Sequence, residues 1–275
     1  MIPFLKRHSM IIGLALMFLF TWPIDLSNSG ILPFKAPFAV YLTLGWGFIF
    51  ASLLMTGLTL GREAVITMLK RYLIWRVGLQ WLLAALLLEP ACIHGGVILH
   101  AALTQTTPDF NAVMAYRIFG TSASLLLFFL PFFLVDLVTN GEEMGWRGYI
   151  LPRLQAKHAA LTSSLILGVV WGFWHLPKYI VHFSPSTFAI LHFMAFAVLL
   201  TWLYNNARGS LLVVAVCHAI SNTVAVFLPI ANMASGENMG SYIFYVLFEV
   251  TAAIVVTVVA GPARLSRTKA MQVQN

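Results

Sequence analysis

Residues 125–147 read LLLFFLPFFLVDLVTNGEEMGWR, an apolar run that ends in two adjacent carboxylates and an arginine. Only one proline and one aspartate interrupt the apolar part, residues 125–138. The two acids, Glu142 and Glu143, are therefore predicted to lie in or against a membrane rather than on an aqueous surface. An ionisable side chain at bilayer depth costs a few kcal/mol, and such residues usually serve a function.

The composition extends this interpretation to the whole chain. Hydrophobic residues make up 60% of the 275 residues and charged residues only 9%, too little polar surface to cover a soluble globule. We therefore expect an all-α, polytopic membrane protein. A span needs about 20 mostly apolar residues. Eight stretches qualify, approximately residues 10–24, 38–60, 77–103, 118–142, 162–182, 187–205, 211–230 and 242–261.

The excess of basic residues fits a simple membrane topology. The formal net charge of +7 would by itself also suit a nucleic-acid partner. If both termini are cytoplasmic, however, 13 of the 16 lysines and arginines lie in inner segments, and only Lys35, Arg117 and Lys178 lie near the outer face. This is the positive-inside pattern, and it predicts attraction to anionic lipid in a bacterial inner membrane. The inner set is Lys6, Arg7, Arg62, Lys70, Arg71, Arg76, Arg147, Arg153, Lys157, Arg208, Arg264, Arg267 and Lys269.

Helical geometry separates the two adjacent acids. Glu143 and Arg147 are four residues apart, so they share a helix face and can form an ion pair. Glu142 is rotated by about 100° from Glu143 and points away from that arginine. The sequence therefore predicts a paired, positioning Glu143 and an unpaired Glu142 that is available as a general base.

A histidine in the next span is predicted to reach the depth of Glu142. If spans four and five turn near His158, Glu142 lies 16 residues before the turn and His175 lies 17 residues after it. With the helical rise of about 1.5 Å per residue, the two side chains would lie at nearly one level. This interpretation requires the fourth helix to continue, kinked or straight, past Gly145 and Pro152.

Span seven contributes a second polar pair. His218 and Asn222 are four residues apart, so they face the same way, and both can donate hydrogen bonds. They could equally join two packed helices, since histidine and asparagine do so in membranes.

Other buried polar residues have no partner in the sequence pattern. Glu89 lies inside span three and needs a partner or a water-filled cavity, His192 is structural or supporting, and Glu249 lies among apolar residues of the last span. Their roles stay open. Cys92 and Cys217 fall in apolar runs without metal-type spacing and are interpreted as small core residues.

Three motifs together resemble the CPBP family of intramembrane endopeptidases, also called Abi. They are Glu-Glu-x-x-x-Arg at 142–147, Trp-x-x-x-His at 171–175 and His-x-x-x-Asn at 218–222. The family includes type II CAAX prenyl proteases and bacteriocin-processing or self-immunity proteins, and the resemblance covers roughly residues 118–228. One departure is Trp171, where the family usually has phenylalanine.

The resemblance implies proteolysis within the membrane. Glu142 with His175 would activate a water for attack on a peptide carbonyl, and His218 with Asn222 would stabilise the developing oxyanion. The implied substrate is a membrane-associated peptide or protein. The sequence does not identify it, and a prenylated protein, a bacteriocin leader, a signalling peptide and another membrane protein all stay open. Nothing in the sequence indicates an oligomeric state.

The same resemblance suggests a division of the chain. Residues 1–117 would form a membrane scaffold of three spans, residues 118–230 the catalytic core of spans four to seven, and residues 231–275 the last span with a basic cytoplasmic tail. Within the core, Glu143 and Arg147 would hold the helix that carries the base.

A metal is an open alternative. Glu142, His175 and His218 could occupy three positions of a Zn2+ site with water in the fourth. The chain has no His-Glu-x-x-His motif, and a glutamate mechanism without a metal is favoured.

Other functions were weighed against this one. A serine protease would use Ser122 in Gly120-Thr121-Ser122, and an aspartyl protease would need a second membrane aspartate beside Asp136. A non-catalytic adaptor or immunity protein could use the same scaffold. An ion-coupled transporter could use a proton relay, although no inverted repeat is evident; its members would be Glu89, Asp136, Glu142, His175 and His218.

Overall fold

The computed structural model describes residues 2–37, 39–40, 43–109, 113, 115, 125–178, 187–229 and 239–267, and all regular elements among them are helical. The predicted all-α class is confirmed. The α-helices are α1 (Ile2–Arg7), α2 (Ser9–Asn28), α3 (Trp46–Leu60), α4 (Arg62–Lys70), α5 (Leu79–Thr104), α6 (Leu125–Thr139), α7 (Leu151–Gln155), α8 (Ala160–Trp174), α9 (Thr187–Asn206), α10 (Leu211–Phe227) and α11 (Met239–Ala260). A 3-10 turn (Arg71–Leu73) follows α4, and a π-helix (Met144–Ile150) precedes α7.

The eight predicted spans each overlap a helix, but the helices differ in length. Within the described ranges, four are long and apolar enough to cross a bilayer: α2, α5, α9 and α11. Helices α3, α8 and α10 are apolar but have only 15, 15 and 17 residues. At about 1.5 Å per residue they fall short of a hydrocarbon core of about 30 Å. Span positions were thus predicted better than span lengths.

Large apolar side chains cover much of the outer surface. Leu127 is 75% exposed, and Val258 is 78% exposed. A soluble monomer rarely exposes such patches, whereas a bilayer accommodates them without cost. The protein is therefore an integral membrane protein, as predicted.

Helix α10 lies at the centre of the second half of the chain. It packs against α5, α6 and α9 and also touches the π-helix. Its start is fixed by Ser210, whose Oγ accepts a hydrogen bond from the Val213 backbone N–H at 3.1 Å and donates one to the Ile74 carbonyl at 2.6 Å. His218 and Asn222 therefore face their neighbours from a well-anchored helix.

The fourth predicted span is interrupted just before the two acids. Helix α6 ends at Thr139, and the Asn140 side chain then accepts a hydrogen bond from the Glu142 backbone N–H at 3.1 Å. Gly141 packs directly on Gly45, where an added Cβ would lie 2.5 Å from the Gly141 nitrogen. The break can therefore sit against α3 only because both residues lack a side chain.

After the break the chain does not resume as the kinked α-helix that was expected. It forms the π-helix and then α7, in which Pro152 occupies the first turn. A proline is tolerated there because its missing N–H would have no helical partner. The expectation that the segment stays helical past Gly145 and Pro152 is correct, but the expectation of α-helical geometry was wrong for residues 144–150.

Candidate active site

Glu142 is held by two neutral donors. Its Oε2 accepts hydrogen bonds from the indole nitrogens of Trp146 at 3.2 Å and Trp171 at 2.8 Å. The ion pairs formed among the described residues do not include Glu142, and its Oε1 accepts no hydrogen bond from them. Among the described residues Glu142 thus forms no salt bridge, although Arg147 and His218 lie near enough to act on it electrostatically. The two indoles that fix it were not foreseen.

Glu143 lies at the centre of a buried charged group. Its Oε1 accepts hydrogen bonds from Arg147 Nη1 and from His218 Nδ1, both at 2.9 Å. Glu143 and Arg147 are fully buried, and His218 is only 5% exposed. The predicted ion pair with Arg147 is present, and the second partner, His218, is an addition from α10.

Trp171 joins the two acids to the histidine of α8. Its indole nitrogen binds Glu142, and its ring lies 4.6 Å beneath the guanidinium carbon of Arg147, a cation–π contact. Its backbone carbonyl lies 3.0 Å from His175 Nδ1. Since a carbonyl can only accept, Nδ1 carries the hydrogen and Nε2 is the basic nitrogen of the neutral ring.

Glu142 and His175 are connected through Trp171, and their equal depth stays a prediction. Glu142 meets Trp171, which lies four residues before His175, and His175 binds the backbone of that same tryptophan. One turn corresponds to about 5.4 Å. Helix α8 ends at Trp174, so His175 lies just past its end, before Pro177.

Asn222 has a partner that the sequence pattern did not identify. Its Nδ2 donates a hydrogen bond to Asp136 Oδ2 at 3.1 Å. Asp136 lies on α6 and Asn222 on α10, and these helices are in contact. An amide carries two N–H hydrogens, so Asp136 orients the group while the second hydrogen points elsewhere.

The three side chains of the alternative zinc site, Glu142, His175 and His218, do not form a metal-binding cluster. Over the described ranges, no three His, Cys, Asp or Glu side chains lie close enough to hold one metal ion. In that alternative set Glu142 is bound by indoles, His218 by Glu143 and His175 by a backbone carbonyl. This arrangement does not fit the predicted three-ligand site, and no step of the mechanism is derived through a metal.

Two acids of the alternative transporter relay bind different partners. Glu89 binds Tyr245, far along the chain on α11, whereas Asp136 binds Asn222. The serine of the rival serine-protease interpretation, Ser122, lies outside the described residues, as does Arg117.

Fold and site together define a polytopic helical membrane protein with an acid–imidazole site buried among its helices. Residues 121–224 match the family model described as Type II CAAX prenyl endopeptidase Rce1-like. This segment is similar to the CAAX-type proteases of the CPBP family, and the resemblance stated on the three motifs is confirmed.

One relative with a described activity is the CAAX prenyl protease 2 of Methanococcus maripaludis. The two chains are 27% identical over 191 residues, which is 65% of this chain. The chain spans about 66% of the length of that curated relative.

Proposed function

We propose that this protein is an intramembrane endopeptidase that hydrolyses a peptide bond in a membrane-associated protein. The observation that carries the proposal is the hydrogen bonding of Glu142. One of its two carboxylate oxygens accepts hydrogen bonds from two indole N–H groups. Indoles hold a carboxylate in place without pairing it with a cation, so the lone pairs of the second oxygen can accept a proton from water. The family-model match and the printed activity of the Methanococcus relative support the same conclusion.

The first step uses Glu142 and His175. Glu142 Oε1 accepts a proton from water while the water oxygen forms a bond to the substrate carbonyl carbon. His175 Nε2, whose basic character follows from the Trp171 carbonyl at Nδ1, orients the same water. The proton then passes to the amide nitrogen as the carbon–nitrogen bond breaks, so protons and bonds balance.

The oxyanion is stabilised from α10. His218 Nδ1 is bonded to Glu143, so Nε2 is the ring atom that can face the substrate, and it donates when the ring is an imidazolium. Glu143 supplies the counter-charge that such a ring requires inside a membrane. Asn222 adds the second N–H of its amide, aligned by Asp136. Removing one such donor typically costs about a hundredfold or more in kcat.

We propose that the reaction proceeds without a metal. The carboxylate and the two histidines are each committed to protein partners rather than to a shared centre. Zinc is measured in active, detergent-purified protein, which is then treated with a chelator. Less than stoichiometric zinc and unchanged cleavage are expected; stoichiometric zinc with a chelator-reversible loss of activity would overturn this part.

The test of function is cleavage in nanodiscs. Two fluorogenic peptides are offered: one anchored by a farnesylated C-terminal cysteine, and one anchored by a hydrophobic leader. We expect the wild-type protein to cut at least one of them and Glu142→Gln to cut neither. Glu63→Gln, on the exposed face of α4, is the matched control and retains activity. Equal cleavage by wild type and Glu142→Gln, or none by wild type, contradicts the proposal.

We also infer that both termini face the cytoplasm. The support is the placement of 13 of the 16 basic residues in the segments that this topology puts inside. Reporter fusions at either end in a bacterial inner membrane test it, because periplasmic activity of either reporter would reverse the assignment.

A further inference from the structure

A second polar cluster lies outside the candidate active site. It joins Glu89 on α5, His192 on α9, and Tyr245 and Glu249 on α11. Both glutamates are fully buried. The three helices are among the longest and most apolar in the protein, so the cluster lies within the membrane-spanning body. No step of the proposed mechanism uses these residues.

The contacts of Tyr245 require a proton on a carboxyl group. Its hydroxyl lies 3.0 Å from Glu89 Oε2 and 2.9 Å from Glu249 Oε1. A phenol has one hydrogen and can donate to only one of them, and an ionised carboxylate can only accept. The other contact is a hydrogen bond only if that carboxyl group is protonated and donates to the phenol oxygen. A tyrosinate would require protons on both acids.

The surroundings assign this proton to Glu89. Glu249 is contacted on both oxygens, since His192 Nδ1 lies 2.7 Å from its Oε2. Glu89 contacts Tyr245 and the carboxyl group of Glu249, and its buried Oε1 accepts no hydrogen bond from an N–H or phenol donor of the described residues. An ionised carboxylate in that position would be severely under-solvated, whereas the neutral acid is far cheaper to bury.

The other ionisable groups near the cluster do not reverse the assignment. Cys92 on α5, Tyr242 on α11 and Cys217 on α10 lie close by, and none of them can carry a positive charge. His218 on α10 and His175 after α8 are also neighbours of His192; His218 Nδ1 is bonded to Glu143, and His175 Nδ1 to the Trp171 carbonyl.

The aromatic rings of α9 connect this cluster to the active site. The His192 ring is stacked on Phe196 at 5.7 Å and contacts Phe193 at 4.8 Å. Phe193 is stacked on His175 at 4.3 Å, and Phe196 is stacked on Trp171 at 5.4 Å. A change in the His192 ring would therefore displace Phe193 and Phe196, which pack against the proposed water-orienting histidine and the tryptophan that holds Glu142.

We propose that Glu89, Tyr245, Glu249 and His192 form a proton-holding brace in which Glu89 is a neutral acid and Glu249 fixes His192. Glu249 and His192 are then positioning residues for the active site, because they set the Phe193 and Phe196 rings against it. The role of Glu89 is to donate its proton to Tyr245, which leaves the tyrosine hydrogen for Glu249.

Infrared spectroscopy tests the proton directly. The carbonyl stretch of a protonated carboxylic acid is separate from the bands of an ionised carboxylate. We expect this band in the wild-type protein at neutral pH, its loss in Glu89→Gln and its retention in Glu249→Gln. Absence of the band from wild type, or its loss in Glu249→Gln but not in Glu89→Gln, overturns the assignment.

The positioning role is tested by kinetics and rests on the proposed function. Glu249→Gln and His192→Phe should lower kcat by between about tenfold and about a hundredfold with little change in KM. Glu89→Gln should stay close to wild type, because its amide N–H replaces the acid as donor to Tyr245. Wild-type kcat in both of the first two variants would overturn the positioning role.

A readout independent of cleavage separates the two proposals. Nitrogen-labelled histidine NMR should show a shift of the His175 signals in Glu249→Gln and none in Glu89→Gln. If the wild-type protein cuts no peptide, the proposed function fails, while the infrared and NMR results still decide the brace. Unshifted His175 signals in Glu249→Gln count against it.

Discussion

The brace and the active site are clusters of the same residue types, linked by the Phe193 and Phe196 rings. They differ in whether the oxygens of their acids remain available for another hydrogen bond. In the brace, Glu249 is bonded on both oxygens and Tyr245 on both sides of its hydroxyl. In the active site, the described residues bond Glu142 on one oxygen only, and Glu143 is paired with a buried arginine. The residue types therefore do not decide the role of a buried acid; the hydrogens and lone pairs already used by its neighbours do.

The backbone that carries the two clusters also differs: it is regular in the brace and irregular in the active site. The brace is built from long, regular helices, and an added Cβ on Gly96 of α5 would lie 2.5 Å from the Tyr245 backbone nitrogen of α11. The active-site acids follow a helix break and directly precede a π-helix. Irregular helical turns of this kind are frequent at functional sites, and here the irregularity turns one carboxylate towards two indoles and its neighbour towards α10.

Replacing one histidine of each cluster with glutamine should give the largest contrast. His175→Gln can still donate to the Trp171 carbonyl but has no basic nitrogen, so kcat should fall by about a hundredfold to ten-thousandfold. His192→Gln can still donate to Glu249, and its loss should stay below about tenfold. Both rates are measured on the same nanodisc peptide. Similar losses in the two variants would remove the distinction between the clusters.

Removing the charge of Glu143 should have the largest effect on folding. Glu143→Gln leaves Arg147 buried without its counter-ion, which typically costs about 3–5 kcal/mol. The thermal unfolding midpoint in detergent measures it. The double variant Glu143→Gln/Arg147→Met should regain much of the stability but not the activity, because His218 still lacks its carboxylate. A fully active double variant would show that Glu143 serves only the arginine.

Trp171→Phe tests the indole donors, and it should lower kcat less than His175→Gln does. The ring still packs under Arg147, and only the 2.8 Å hydrogen bond to Glu142 is lost. A hydrogen bond to a charged group is worth about 1.5–3 kcal/mol, so kcat should fall by roughly tenfold or somewhat more. Trp146→Phe, which removes the longer bond of 3.2 Å, is the comparison and should cost less. An unchanged rate in both variants would mean that indole donors do not fix the base.

The smallest effect on catalysis is expected from Tyr245→Phe in the brace. Glu249 keeps His192, so the cleavage rate should stay within about threefold of wild type. Glu89 loses its hydrogen-bond acceptor, and the free energy of unfolding should fall by about 1–3 kcal/mol. Urea titration in mixed micelles gives the stability. A large drop in kcat without a drop in stability would place Tyr245 in the catalytic machinery instead.

Local spacing along the chain predicted the local part of the structure well. The apolar stretches located the helices, and the four-residue spacing of Glu143 and Arg147 predicted their ion pair, which is present at 2.9 Å. The rotation between neighbouring helical residues predicted that Glu142 would have no cation partner. These properties depend on periodicity within one helix, which the sequence carries directly.

Contacts between helices were not predictable in the same way. His218 meets Glu143 across 75 residues, and Asn222 meets Asp136 across 86 residues. Such pairs depend on how each whole helix is rotated and shifted against its neighbour, and no local pattern encodes that. Trp171 stood out only as a departure from the family pattern, because its single N–H group carries no charge and leaves no mark in the hydropathy pattern.

The π-helix makes the number of residues in the segment 144–150 important for the geometry of the site. A π-helix closes each turn with one more residue than an α-helix, so deleting one residue from 144–150 would allow the segment to relax to α-helical geometry. The flanking residues would stay nearly in phase, but the wider turn that carries Arg147 would be lost. An alignment or a design that removes one residue between Arg147 and Pro152 would keep every letter of the motif and still change the backbone that positions both carboxylates.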